Sequence, residues 1–274
     1  MQYMTKAGFR SLATVLGFCA LSSAASADTL RIGGTGVALG GMSLLAEAFG
    51  AAHPDTEIDV LPSLGSSGGV KALLAGAVDL SVSSRALKDA ETEQGAVGRL
   101  YATTPLAVVT SIGTDADAVT TPELAQIYAG TLSEWPSGEA IRVVLRPESE
   151  SDTQILRGLS DDMAAAVDNA LKRPGLVSAT NDQENADTLE QLPGSVGVIA
   201  LGQIATEGRK LKVLELDGIR PVPGATDARS QRLIKSLYIV TTAQTSPAAE
   251  AFVDFVFSPE GQAVLAANDH TPAE

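Results

Sequence analysis

Between residues 29 and 85 the chain repeats one pattern three times: a short strand-like segment running straight into a small polar turn. Thr29 to Ile32 enters Gly33-Gly34-Thr35-Gly36, Glu57 to Leu61 leads to Gly65-Ser66-Ser67-Gly68-Gly69-Val70-Lys71, and Asp79 to Ser83 ends on Ser83-Ser84-Arg85. Between them Met42, Leu45, Ala46 and Phe49 recur at helical spacing, and a second helix is expected from Val70 to Leu74. This strand–helix alternation implies a mostly parallel sheet flanked by helices. In such sheets ligands collect at the carboxyl ends of the strands, where all three turns fall.

The serine-glycine run carries the most chemistry. It places two hydroxyls and several flexible backbone N–H groups at a helix N-terminus, where unpaired amides and the helix dipole both favour a small anion. Thr35 and Gly36 offer a hydroxyl and an amide at the first strand end, and Ser84 adds a hydroxyl with Arg85 beside it. Each has a plainer reading: a tight turn for Thr35-Gly36, a strand-to-helix turn for Ser66-Ser67-Gly68, a salt-bridge role for Arg85.

A second block has the same character. Pro105 to Ser111 is a strongly apolar strand, and Thr121-Pro122-Glu123 opens a helix with a cap residue, a first-turn proline and an acid. Ile141 to Leu145 is a strand delivering Arg146, after which Ser151 or Asp152 is expected to cap a helix carrying Ile155 and Leu156. Strands at Leu176 to Ala179 and Ser195 to Ala200 enclose a helix near Ala186 to Leu192. The last third returns to strands at Lys212 to Leu216 and Leu237 to Thr242, then helices at Pro247 to Phe257 and Pro259 to Ala267. The order predicts two α/β lobes, each a mixed, mostly parallel sheet flanked by helices. The chain would cross near Val108–Ser111 and near Ala200–Lys212, giving one lobe of 28–109 with 208–274 and another of 110–207.

Residues 1–27 stand outside that fold. Lys6 and Arg10 precede an apolar run from Leu12 to Leu21, and Ala25-Ser26-Ala27 forms a small-x-small cleavage site before Asp28. That is the pattern of a secretory signal peptide. Phe18 before Cys19 speaks against lipid attachment at that cysteine. Cleavage would leave 247 of the 274 residues, without the sole cysteine, and the loss of Lys6 and Arg10 would take the formal charge from −14 to −16. Such a balance argues against nucleic acid and anionic membranes as partners, while a local site can still oppose the global field. His53 and His270 are the two imidazoles, and neither stands near an elbow serine or in a metal-ligand spacing. An enzyme, a metal site and a cofactor are therefore not expected.

Several segments in order are similar to one family. Gly65 to Lys71, Val78 to Arg85, Glu123 to Trp135 (ELAQIYAGTLSEW), Pro193 to Val198 and Phe252 to Gln262 (FVDFVFSPEGQ) resemble the PstS-like periplasmic phosphate-binding proteins of ABC phosphate importers, from about Thr29 to the C-terminus. The resemblance implies a type II periplasmic-binding-protein fold that closes on an oxyanion, phosphate first, in the cleft between its lobes. It also implies a monomer in the periplasm that hands its ligand to a membrane permease driven by an ATPase. The ligand set would be Thr35, Gly36, Ser66, Ser67, Gly68, Ser84 and Arg85 from one lobe and Arg146, Ser149, Ser151 and Asp152 from the other. Arg146 would supply a two-pronged donor suited to a tetrahedral oxyanion. The chain departs from the family where Glu150, Ser151 and Asp152 stand in place of Ser-Gly-Thr, and where Ser84-Arg85 stands in place of Asp-Ala. A one-residue offset would make Ser149 and Ser151 the donors, and Asp152 could instead be a helix cap. Another oxyanion, a small organic acid, or a receptor feeding a sensor are the competing readings.

Overall fold

The computed structural model describes residues 28–273, so the leader expected over residues 1–27 lies outside the described residues. The chain opens with β1 (Asp28–Gly34), α1 (Gly36–Ala52), β2 (Thr56–Val60), α2 (Gly65–Leu74), β3 (Leu80–Ser83) and the short α3 (Asp89–Glu93), and continues into β4 (Val97–Ser111). Next come β5 (Ala118–Val119), α4 (Thr121–Ala129), β6 (Arg142–Leu145), α5 (Ser151–Arg157), α6 (Asp161–Lys172) and β7 (Val177–Ser178). They are followed by α7 (Asp182–Gln191), β8 (Ser195–Ala200), α8 (Leu201–Glu207), β9 (Leu211–Val213) and β10 (Glu215–Leu216). A 3-10 turn (Ser230–Leu233) leads to β11 (Ile234–Thr241), α9 (Pro247–Val256), α10 (Pro259–Ala266) and β12 (Thr271–Pro272).

The 15-residue β4 is the spine. The strands lie in the order β2-β1-β3-β11-β4-β8-β6-β7. β1 is parallel to both β2 and β3, and β6 is parallel to both β7 and β8. β4 joins these two parallel sets by antiparallel pairing. Its first part, Val97 to Pro105, pairs with β11, and its second part, Leu106 to Val109, pairs with β8. Pro105 stands at the change of partner, where a missing N–H costs the ladder least.

Each half of the sheet is covered on both faces. Ile32, Leu80 and Ile239 pack with Met42, Phe49 and Phe252 on one side of the first half, while Val70, Leu73 and Val240 meet on the other. In the second half Leu106, Val108 and Val196 pack under α4 and α6, and Ala107, Val144 and Ile199 under α7. Burial on both faces is why β8 reads as an unbroken run, buried at all six positions.

Several boundaries differ from the sequence expectation. The return to the first half does not come at residue 208. β9 pairs with the far end of β4 and β10 with β5, and Leu214 and Leu216 join Leu106 and Val108 in the second core. The far end of β4 still offers an edge and an apolar face, which these residues cover; the chain rejoins the first half with β11. α2 begins at Gly65 rather than Val70, because Gly65 turns the chain at φ +67° and the serines form the helix's own first turn. A Cβ on Gly69 would lie 2.5 Å from Cα of Gly34 and 2.6 Å from Oγ of Ser81, so glycine lets this helix rest directly on β1 and β3. The cap of α4 is Thr120, one residue earlier than expected; its Oγ1 accepts from the Glu123 N–H in a reciprocal capping box. Neither Ser151 nor Asp152 caps α5: the N-cap is Glu150, with no side-chain capping bond, and the other two side chains are engaged elsewhere.

Candidate functional site

The carboxyl ends of β1 and β3, the start of α2 and the start of α5 deliver four hydroxyls to one point. Thr35, buried at the N-cap of α1, leaves the helix uncapped by its side chain and sends Oγ1 to within 3.3 Å of Oγ of Ser84. Its N–H is anchored on the Val82 carbonyl at 2.9 Å. Oγ of Ser66 accepts from the Ser84 N–H at 3.0 Å and lies 3.2 Å from the Ser84 hydroxyl. From the other half of the molecule, Oγ of Ser151 stands 3.2 Å from the same oxygen. Ser84 is thus the hub of a hydroxyl cluster drawn from both halves. A hydroxyl donates one hydrogen and accepts two, so an entering anion can take over donors that these groups otherwise share. The first-turn amides of α2, which have no carbonyl partner within the helix, add donors and a favourable dipole.

The cluster borders a cavity of about 560 Å³, walled by Ser66, Ser67 and Gly68 on one side and Ser149, Glu150 and Ser151 on the other, with Lys235 between. Arg85 also lines it, yet its guanidinium is clamped by Glu91 at 2.9 and 2.6 Å and bonds Oγ of Ser67 at 2.9 Å. The bonds that Arg85 donates to Glu91 hold its carboxyl below the usual carboxylate range. Gly36 lies to one side, against α7: its carbonyl accepts from Nε2 of Gln183 at 3.0 Å, and a Cβ there would come 2.8 Å from Oδ2 of Asp182.

The charged groups of the second half are mutually engaged. Arg146 is buried behind Glu150; Nη1 donates to the Ala179 carbonyl at 3.0 Å, and Nη2 reaches Glu150 at 3.2 Å and Asp182 at 3.4 Å. Its buried Nε has no hydrogen-bond partner among the described residues. Asp152 forms an ion pair with Nζ of Lys235, which lies 3.9 Å from Asp182. Lys235 and Asp152 are each 2% exposed, so this pair joins β11 to α5 as a buried contact. Burial pushes the Glu150 carboxyl up from its ordinary value, with Arg146 the strongest opposing influence.

Of the residues singled out in the sequence, Thr35, Ser66, Ser84 and Ser151 come together in one hydrogen-bonded cluster. Ser67, Gly68, Arg85 and Ser149 line the cavity beside it. Arg146 and Asp152 sit deeper in the ion-pair network, and Gly36 faces α7. Lys235, Asp182 and Glu150 were not counted among the ligand residues. Lys235 had one visible signal: a lysine between Ile234 and Leu237, inside an apolar run. Trp135 serves the core, its Nε1 donating to the Gly194 carbonyl at 3.1 Å. His53 stacks on Phe49, and His270 packs near Gly41 and Gly202, so neither enters this network. Among the described residues no group of three or more His, Cys, Asp or Glu side chains is placed to hold a metal ion. The arrangement suits binding: many neutral donors, a helix N-terminus and a cleft floored by a charge network.

Comparison with known proteins agrees with this architecture. Residues 20–260 match the model of the family described as the PBP superfamily domain. The phosphate-binding protein PstS of Borreliella burgdorferi is 25% identical over 209 residues, covering 73% of this chain and 75% of that protein. A Clostridium perfringens protein solved with bound phosphate has a TM-score of 0.75 at 19% identity, over 90% of this chain and 100% of that one. An ABC-type phosphate transport receptor from Vibrio cholerae has a TM-score of 0.62 at 20% identity, over 88% of this chain and 99% of that one. What these structures share with this chain is the fold.

Proposed function

Because the chain belongs to the PBP superfamily domain family, we propose that it is the extracytoplasmic solute-binding protein of an ABC-type importer and captures a small oxyanion, inorganic phosphate first. The observation that carries this reading is the meeting of Thr35, Ser66, Ser84 and Ser151 at the N-terminus of α2. Hydroxyls from both halves meet beside one cavity, so binding there and closure of the cleft become one event. Neutral, pre-aimed donors hold a desolvated anion without needing a full counter-charge. Phosphate ranks first among oxyanions because the PstS relative and the Clostridium perfringens neighbour carry it in name or in the bound state.

The lobes of this reading follow the strand pairing: 28–105 with 234–273, and 106–233. The ligand set is Thr35, Ser66, Ser67, Gly68, Ser84 and Ser151, with Arg146 setting the field from beneath. The site of action is the periplasm and the partners are a permease and its ATPase. Calorimetric titration with phosphate, arsenate, sulfate and molybdate tests the function. Phosphate is expected to bind at one site, and Ser84→Ala to weaken it by about 1.5–3 kcal/mol, the scale of a hydrogen bond to a charged group. Absence of binding by every oxyanion at millimolar concentration refutes the reading.

A further inference from the structure

The charge balance beneath the cleft does not favour a dianion. Arg146 spends both terminal nitrogens on Ala179, Glu150 and Asp182, and Lys235 is paired with Asp152. On the opposite wall Arg85 is clamped by Glu91, and Lys88 lines the cavity with its side chain exposed, where solvent screens its charge. Two buried cations therefore face Asp152, Asp182 and Glu150, and of these three carboxyls Glu150 is the one on the cavity wall. It adjoins Ser151, whose hydroxyl belongs to the cluster. An ionised carboxylate is an acceptor only, as is an oxyanion without a proton, so the two cannot share one wall unless a proton lies between them.

We propose that Glu150 enters the ligand complex as a neutral carboxylic acid, so that the cleft takes up one proton from solvent together with its oxyanion. This deepens, and rests on, the oxyanion reading above. The step balances simply: the carboxylate gains a proton, and the new O–H donates to an oxygen of the anion. The groups facing Glu150 are Arg146 from the end of β6, Lys235 from β11, Asp182 from α7 and Asp152 from its own helix. Their formal charges cancel, which leaves burial as the dominant influence, and burial already favours the neutral form. A dianion arriving at the wall drives the group further the same way. Glu150 thereby determines specificity: it admits oxyanions that bring no proton of their own, such as sulfate, at low pH and releases them as pH rises. Between the carboxyl's pKa in the free protein and its pKa in the complex, sulfate affinity falls tenfold per pH unit.

The test is calorimetry with inorganic phosphate at pH 7.5 in two buffers of different ionisation heat, on the full mature protein and on Glu150→Gln, with folding of both checked by circular dichroism. Gln keeps the shape and supplies a donor without titrating. The wild type is expected to take up measurably more protons than the variant. Sulfate affinity is expected to fall with pH in the wild type and to stay flat in the variant. Equal proton uptake in both proteins would place the proton on the ligand and overturn the proposal, as would phosphate binding with no uptake in the wild type or failure of sulfate to bind at low pH. Failure of all anions to bind the folded wild type would instead overturn the oxyanion reading itself.

Discussion

Replacing Lys235 by methionine removes one charge and keeps most of the side-chain volume, which makes it a clean probe of the network joining the two halves. Lys235 and Asp152 are each 2% exposed, and the remaining charged groups around Lys235 include Asp182 at 3.9 Å. Lys235→Met therefore leaves Asp152 as a buried carboxylate among like charges, and breaking such a pair from one side costs about 3–5 kcal/mol. Asp152→Asn is milder: Lys235 keeps Asp182 and gains an amide oxygen, for a cost of about 1–3 kcal/mol. The double variant Lys235→Met/Asp152→Leu replaces the pair by apolar side chains and should recover most of the loss. Urea unfolding followed by Trp135 fluorescence and by circular dichroism measures all three, with coincidence of the probes as the check on two-state behaviour. Lys235→Met should lower the midpoint by about 1–2.5 M for a slope of about 2–3 kcal/mol/M. If it instead lies within about 0.5 kcal/mol of wild type, or costs less than Asp152→Asn, the pair is not the buried lock described above.

Two further outcomes follow from the packing and the titrating groups. Gly69→Ala should destabilise by about 1–3 kcal/mol and weaken anion binding, because its Cβ would press on Gly34 and Ser81 and lift the first turn of α2; unchanged stability and affinity would contradict the close approach of helix and strand. Burial holds the His270 imidazole below its ordinary value, so its contribution to stability is complete above the unfolded pKa of about 6.5 and is lost as pH falls through the folded value. Melting temperatures at pH 7.5 and 5.0 should therefore fall less steeply for His270→Gln than for wild type; identical slopes would remove His270 from the acid response.

Much of the fold was legible because its strands are either doubly buried or end in small polar turns. Ser195 to Ala200 was bounded correctly since all six positions are apolar or small and buried. β4 was read from Pro105 because Gly98, Arg99, Thr103 and Thr104 break the apolar run before it. Those residues form strand because β11 pairs along them, a long-range cause that local pattern does not carry. The start of α1 was hidden by Gly36, Gly40 and Gly41, which look like helix breakers. A Cβ on Gly36 would meet Asp182 and one on Gly40 would meet Thr206, so these glycines serve helix packing. In the candidate site, the grouping of Thr35, Ser66, Ser84 and Ser151 was legible because each sits at a strand end or helix start, and the structure brings their hydroxyls together. Lys235 carried only the signal of a lysine inside an apolar run, and its partner Asp152, 83 residues away, was not legible from local pattern. Asp182 was hidden because α7 was expected to begin near Ala186 and begins at Asp182.

The central claim is that hydroxyls from both halves converge on one oxyanion at the start of α2. The most direct measurement is a crystal structure of the mature protein grown with arsenate, with anomalous data collected at the arsenic edge. One strong peak is expected, its oxygens within hydrogen-bonding distance of Thr35, Ser66, Ser84 and Ser151, with the amides of α2's first turn pointing at it. An arsenic peak elsewhere, or none in crystals soaked at millimolar arsenate, would contradict it.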